Sequence, residues 1–210
     1  MKRITIFFII FIIINGCSTV SMTEIDKESL KTVSIEYPVI NKLLEVTCHR
    51  CSFTWAGPYQ GKDYFDNKET VKAYQNDGLT KLHEDVYLNN DIDIKQIVYD
   101  ELIEQLTLKS KFYIVSEDPD FIIRPVIEMH GYGQPSIFSL KLSPKIVVSL
   151  HGDINGQKDA FISKGIVTIF SKYSESHSNY DLVHNPQLII EGYKLISEKA
   201  ISDALESILR

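Results

Sequence analysis

From residue 93 onward the chain carries apolar positions at helical and strand spacings. Asp93 precedes apolar residues that recur every three to five positions, with Gln96 placed to complete a capping box, so a helix is predicted from there to about Lys109. A second helix is predicted to begin after Asn185 and Pro186 and to continue close to the C-terminus, because Pro at the first helical position costs no backbone hydrogen bond. The stretches between the two helices alternate or run apolar as strands do, at residues 112–115, 120–129, 146–154 and 159–170.

Turn residues indicate how these strands connect. Asn155-Gly156 is the dipeptide preferred in a type I′ hairpin turn, so the strands on either side of it are predicted to pair antiparallel. Pro125 predicts an edge or a bulge in its strand, and the glycines within 131–135 predict a break. Two short strands are predicted upstream, at 33–37 and 43–47. These elements together predict an α+β fold, an antiparallel sheet of about four to five strands with two helices packed on one face.

Residues 56–90 differ from the rest of the chain because turn-forming Gly, Pro, Asn and Asp are frequent there. A long loop insertion is predicted at 56–90, within a single α+β domain that spans 33–210. Aromatic side chains in and beside this stretch could stack on the sugar rings of peptidoglycan or a glycolipid, or could instead pin the loop onto the sheet. The candidates for ligand stacking are Trp55, Tyr59, Tyr64 and Tyr74.

Residues 1–16 have the layout of a secretory signal peptide. Two basic residues precede the apolar run 4–14, which is shorter than the roughly 20 residues that a membrane-spanning helix needs. The sequence Ile14-Asn15-Gly16-Cys17 resembles the lipobox of bacterial lipoproteins, although that family usually has Ala or Ser in place of Asn15. The resemblance implies that Cys17 is acylated and becomes the N-terminus. It also implies that 17–32 is a tether and that the protein contacts the lipid bilayer through Cys17.

The residue after Cys17 bears on the location of the protein. Ser18 stands where some bacteria place the Asp that retains lipoproteins at the inner membrane. The resemblance therefore implies a lipid-anchored protein of the bacterial cell envelope, at the outer membrane and facing the periplasm.

The charge of the chain narrows the classes of partner. The formal net charge is −6, whereas phosphate recognition needs a basic surface, so nucleic acid is not expected as a partner. The same charge argues against a polybasic attachment to anionic lipid. Attachment to the membrane must then depend on the acyl chains.

Cys48-His49-Arg50-Cys51 is the sharpest chemical motif. An even pair of cysteines in an exported protein is typical of a disulfide, and Cys48 and Cys51 are the candidates. A redox-active pair would need the first Cys at the start of a helix, and the sequence that follows is not helical. A zinc site would need a second pair of ligands, and the sequence offers no second C-x-x-C. A structural disulfide is therefore the preferred interpretation of this motif, and a thiol–disulfide oxidoreductase stays open as the alternative.

The sequence lacks the motifs of the common enzyme classes. It contains no nucleophile elbow, no phosphate-binding glycine loop and no H-E-x-x-H pair, so no catalytic residue, metal or cofactor is predicted.

The second half of the chain resembles, in its pattern of elements, small accessory lipoproteins of envelope transport and assembly machines. The resemblance rests on the run Asp118-Pro119-Asp120-Phe121, the hairpin at 155–156 and the closing helix. That resemblance implies a non-enzymatic subunit that binds another protein of an envelope complex. A peptidoglycan- or glycolipid-binding module is the alternative.

Overall fold

The computed structural model describes residues 32–48, 78–109, 112–136, 138–139 and 141–209. The helices in this part of the chain are α1 (Gly78–Asn89), α2 (Ile94–Lys109), α3 (Asn179–His184) and α4 (Gln187–Leu209). The strands are β1 (Thr32–Ile35), β2 (Val39–Ile40), β3 (Glu45–Thr47), β4 (Tyr113–Ile114), β5 (Phe121–Gly133), β6 (Lys141–Ile154), β7 (Gln157–Val167) and β8 (His177–Ser178).

The strands form one mixed sheet in the order β4-β1-β5-β6-β7. β5, β6 and β7 pair antiparallel, and β8 pairs antiparallel with the start of β6. In contrast, β1, β2 and β3 follow one another along β5 in parallel, and β4 is parallel to β1. The prediction of an antiparallel sheet of four to five strands with two helices is therefore wrong, since the described residues form eight strands and four helices. The physical reason is that α1 and α2 lie between β3 and β5, and a helical connection of this length returns the chain in the same direction.

Pro125 lies in a central strand, so the prediction of an edge is wrong. The alternative, a bulge, corresponds to a register shift in the same strand between Ile127 and Met129. Glu36 N–H donates to the carbonyl of Ile123 at 2.9 Å, so the alternate residues of β5, including Pro125, direct their backbone polar groups toward β1 and β2. Pro125 falls opposite the interval between these two strands, where the ladder is interrupted. Its missing N–H therefore costs no ladder hydrogen bond.

Gly131 and Gly133 continue β5 and do not break it. A Cβ at Gly131 would lie 1.9 Å from the carbonyl oxygen of Glu45, and the φ angle of Gly131 is +151°. β3 thus approaches β5 so closely that only glycine fits at this position.

The hairpin and both predicted helices are confirmed. Asn155 and Gly156 have φ angles of 51° and 79°, as a type I′ turn requires. The Asp93 carboxylate accepts from the N–H of Lys95 at 2.8 Å and from the N–H of Gln96 at 3.3 Å, which caps α2.

Four elements were not predicted, and one of them is β2, which lies between the two short strands predicted upstream. Residues 78–89 form α1, although the sequence predicted a loop throughout 56–90. β8 and α3 lie within a polar stretch that has the composition of a loop. The Ser178 hydroxyl accepts from the N–H of Asp181 at 3.0 Å and caps α3. The remainder of the predicted insertion, from 56 to 77, lies outside the described residues.

The core lies between one face of the sheet and the helices. α4 packs across β6 and β7, and α2 packs against α4 and β5. The side chains that fill this layer are fully buried or nearly so; among the largest are Leu102, Leu106, Ile123, Ile127, Leu150, Ile189 and Tyr193.

The sheet has two ends that matter for function. Thr32, where the described part of β1 begins, lies beside Tyr113, and the start of β5 pairs with the end of β6 at the hairpin. We call this the tether end. Thr47 and Gly133 pair at the opposite end, which we call the far end.

Candidate functional site: the uncovered face of the sheet

The face of the sheet that the helices leave uncovered carries cross-strand rows of side chains. Val126, Ser149 and Lys164 form one row across β5, β6 and β7, and Met129, Val147 and Ile166 form the next. Ile162 lies opposite His151 in a third row, and Val39 of β2 lies beside Val126. Six of these side chains are aliphatic or thioether groups and make up the aliphatic strip: Val39, Val126, Met129, Val147, Ile162 and Ile166.

Part of the aliphatic strip is accessible to solvent. Val39 is 58% exposed, Ile166 is 54% exposed and Ile162 is 45% exposed. Val147 and Ser149, at the centre of this face, are buried, so the exposed apolar groups lie at its two sides, Val39 on β2 and the other two on β7. Exposed apolar groups that share one face of a sheet can form a surface for recognition. The signal in the sequence was the pair Ile162 and Ile166, which alternate with the core residues of the same strand.

A charged network borders the aliphatic strip on the side of the tether end. Arg124 Nη2 donates at 2.8 Å to Oδ1 of both Asp153 and Asp159. His151 Nδ1 lies 2.9 Å from the same oxygen of Asp159. Burial disfavours the ionised form of Asp153, but the hydrogen bonds from Arg124 and from the Asp159 N–H outweigh it and lower its pKa. The charges of this network are satisfied within it. The strip next to it is mainly aliphatic, with the exposed Lys164 between Ile162 and Ile166 on the same face.

Under the other face lies a buried cluster of three phenols and two imidazoles. Tyr193 makes edge-to-face contacts with Tyr87 at 6.2 Å and Tyr132 at 5.8 Å between ring centroids, and its ring lies 6.2 Å from that of His130. His83 lies 5.2 Å from Tyr132, and its Nε2 is 2.9 Å from Oδ1 of Asn179. We call these five residues the tyrosine–histidine cluster: His83, Tyr87, His130, Tyr132 and Tyr193.

The cluster is neutral at physiological pH. Burial raises the pKa of Tyr87 and Tyr132 well above the usual value, and burial lowers the pKa of His83 and of His130 to about 4. Among the described residues, the Nδ1 atoms of both histidines have no hydrogen-bond partner. The three hydroxyls lack a bond of good geometry, although Tyr87 lies close enough to interact with both Tyr132 and Tyr193. The cluster is therefore polar and costly to bury, and the acid–base chemistry it offers near pH 7 is weak.

These buried histidines make the fold sensitive to acid. Because the folded pKa of His83 is about 4, below the 6.5 of an unfolded chain, its contribution to stability is complete above pH 6.5 and is lost as the pH falls toward 4. We expect His83 to account for a loss of about 2 kcal/mol in the free energy of unfolding between pH 7 and pH 5. Urea denaturation of wild type and His83→Gln at both pH values measures the difference. The exposed His184, as His184→Gln, is the control. Equal losses in wild type and His83→Gln would refute the assignment.

The residues that the sequence proposed for function lie mostly outside the described part of the chain. This applies to the lipidation candidate Cys17, to Cys51, and to the stacking candidates Trp55, Tyr59, Tyr64 and Tyr74. Cys48 is described and follows β3 at the far end, packed against the core. The pairing of Cys48 with Cys51 stays a prediction, as does each role assigned to the others.

Two further properties concern the described residues alone. They contain no group of three or more His, Cys, Asp or Glu side chains arranged to hold a metal ion. None of the helices in the same ranges is both long and apolar enough to cross a membrane.

Comparisons with known proteins do not place the chain in a family. No family model, no curated protein and no solved structure matches it.

Proposed function

We propose that this chain is a lipid-anchored protein of the bacterial cell envelope, without enzymatic activity, whose folded domain binds another envelope protein through the aliphatic strip. The observation that carries the proposal is the exposure of Val39, Ile162 and Ile166 on one face of the sheet. The lipobox-like sequence ending at Cys17 supports a lipid anchor, and Ser18 after it supports the outer membrane. These side chains are already about half buried, so covering the rest of all three contributes roughly 2–4 kcal/mol before the costs of association.

The chemistry of the strip favours a protein partner over a small ligand or a sugar. It offers aliphatic side chains on one face of the sheet, and the charged groups of the network beside it already bond to one another. Lys164 is the exposed charge within it. Glycans instead need aromatic platforms and free hydrogen-bonding groups. A partner that fits has a complementary apolar surface with few charges at its centre.

A glycan-binding function is the second candidate, and the far end of the domain favours it. Phe138 and Phe170 are 77% and 75% exposed in loops at this end. The stretch with Trp55, Tyr59, Tyr64 and Tyr74 leaves the described domain after Cys48 and rejoins it at Gly78, near the same loops. Thr80 Oγ1 accepts from the N–H of Val46 at 3.1 Å and joins the two points. Co-sedimentation of the purified protein with isolated peptidoglycan tests this candidate.

The anchor is tested at Cys17. We expect the wild-type protein from cells to carry acyl chains on Cys17, and Cys17→Ser to lack that mass and to leave the membrane fraction or stay unprocessed. Intact-protein mass spectrometry with membrane fractionation measures both. Cys51→Ser is the matched control, and it should remain acylated. A wild-type protein of unmodified mass would refute the anchor.

The binding face is tested by site-specific photocrosslinking in living cells. A photoreactive amino acid at Ile166 should give one discrete protein adduct, whereas the same group at the exposed Glu198 on α4 should not. Once the adduct is identified by mass spectrometry, we expect Ile166→Lys to weaken binding of that purified partner about tenfold, which corresponds to 1.4 kcal/mol.

Two outcomes would contradict the proposal. One is adduct formation at Glu198 but not at Ile166. The other is a partner whose affinity is unchanged in Ile166→Lys although the variant melts like wild type.

A further inference from the structure

The tether end carries exposed apolar side chains of its own, on elements other than the aliphatic strip. Leu108, in the last turn of α2, is 70% exposed. On β4, Tyr113 is 69% exposed and Ile114 is 41% exposed. β4 is the outermost strand on its side of the sheet among the described residues.

The segment that follows Cys17 joins the described domain at this same end of the sheet. Tyr113 is the register partner of Thr32, and Ile114 is the partner of Val33. The N–H of Val115 donates to the carbonyl of Val33 at 2.8 Å, which fixes the strand against β1. Residues 17–31 add at most about 50 Å of chain between an anchored Cys17 and Thr32. A lipid anchor on Cys17 would thus keep the domain within about 50 Å of the membrane surface and attach it on the side of Tyr113 and Ile114.

The chemistry of this edge matches a neutral bilayer surface. Tyrosine is favoured at the interface between lipid and water, where its ring lies among apolar groups and its hydroxyl stays hydrated. Leucine and isoleucine gain free energy on entering the interface. Glu117 and Asp118 lie shortly after β4 and are exposed. They offset Lys109 and Lys111 of the same segment, so the edge has no net basic charge that would favour an anionic lipid surface.

We infer that Leu108, Tyr113 and Ile114 form a membrane-contact edge that rests on the bilayer and orients the domain. This inference depends on the proposed anchoring through Cys17. With the tether end on the membrane, the far end with Phe138 and Phe170 points away from it, and the aliphatic strip stands beside the membrane, accessible to a partner. β5 spans 13 residues, so the far end would stand about 40 Å above the membrane-contact edge.

The inference is tested with full-length acylated protein in vesicles of phosphatidylcholine and phosphatidylethanolamine. A fluorescent amino acid is placed at Ile114 and, in separate proteins, at Phe138 and Ile166. Quenching by lipids with a nitroxide near the headgroup reports proximity to the bilayer. We expect quenching at position 114 to exceed that at 138 several-fold, with position 166 also weakly quenched.

A variant tests whether the side chains themselves make the contact. In Leu108→Glu/Tyr113→Glu, both changes lie at exposed positions, so the fold should persist. The protein should stay anchored while quenching at 114 falls to the level seen at 138. Anchored wild-type protein with equal quenching at 114 and 138, or stronger quenching at 138, overturns the orientation alone. Wild-type protein that neither carries acyl chains nor binds the vesicles overturns the anchoring on which it rests.

Discussion

Gly165→Ala is expected to destabilise the domain by about 3 kcal/mol or more, because the added methyl group meets the backbone of α4. A Cβ at Gly165 would lie 1.7 Å from the carbonyl oxygen of Ala200 and 2.5 Å from its carbonyl carbon. A backbone group inside a helix cannot rotate away as a side chain can. The helix would have to lift from β7 and give up part of the packing between the helix and the sheet.

Gly192→Ala is the matched control, since Gly192 lies on α4, the helix that Gly165 of β7 contacts. Its Cβ would lie 3.6 Å from Cγ of Pro144, an ordinary van der Waals distance. Alanine is the better helix former by up to about 1 kcal/mol, so this variant should be neutral or slightly more stable. Urea denaturation of both variants with wild type measures the difference. A Gly165→Ala protein as stable as Gly192→Ala would mean that α4 does not rest on β7 as described.

Ala204→Asp is expected to abolish the folded state. Ala204 is fully buried, and its carbonyl oxygen accepts from the hydroxyl of Ser163 at 2.6 Å. The new carboxylate would therefore enter the layer between α4 and β7. An uncompensated buried charge costs several kcal/mol, comparable with the 5–15 kcal/mol that stabilise a typical domain.

Leu195→Asp provides the comparison, since Leu195 lies on the same helix but is 40% exposed. Its carboxylate can stay hydrated, so we expect a change in stability within about 1 kcal/mol. Circular dichroism and thermal melting of both proteins separate the cases. Folded Ala204→Asp with a melting temperature near that of Leu195→Asp would mean that this stripe of α4 does not face the core.

The candidate site could be predicted from the sequence only in part, because local pattern and tertiary packing each determine some of it. The alternation in β7 already separates Phe161 and Val167, which face the core, from Ile162 and Ile166 on the other face. The sequence could not show that none of the described helices packs on this second face, because that depends on where all four of them lie. His130 shows the same dependence: it is buried because α4 brings Tyr193 over the end of β5, which no local pattern around it indicates.

The sequence by itself determined the features that depend on a few neighbouring residues. The turn at Asn155-Gly156 follows from residues that tolerate positive φ, and the start of α2 follows from the Asp93 carboxylate and the free N–H groups next to it. The direction of β1, β2 and β3 relative to β5 was decided only in the tertiary structure. The pairing of Val33 with Phe121 joins residues far apart in the chain, and no local pattern encodes it. Gly131 and Pro125 likewise read as chain breakers in isolation, yet both belong to the central strand, because β3 packs against one glycine and the interval between β1 and β2 accommodates the proline.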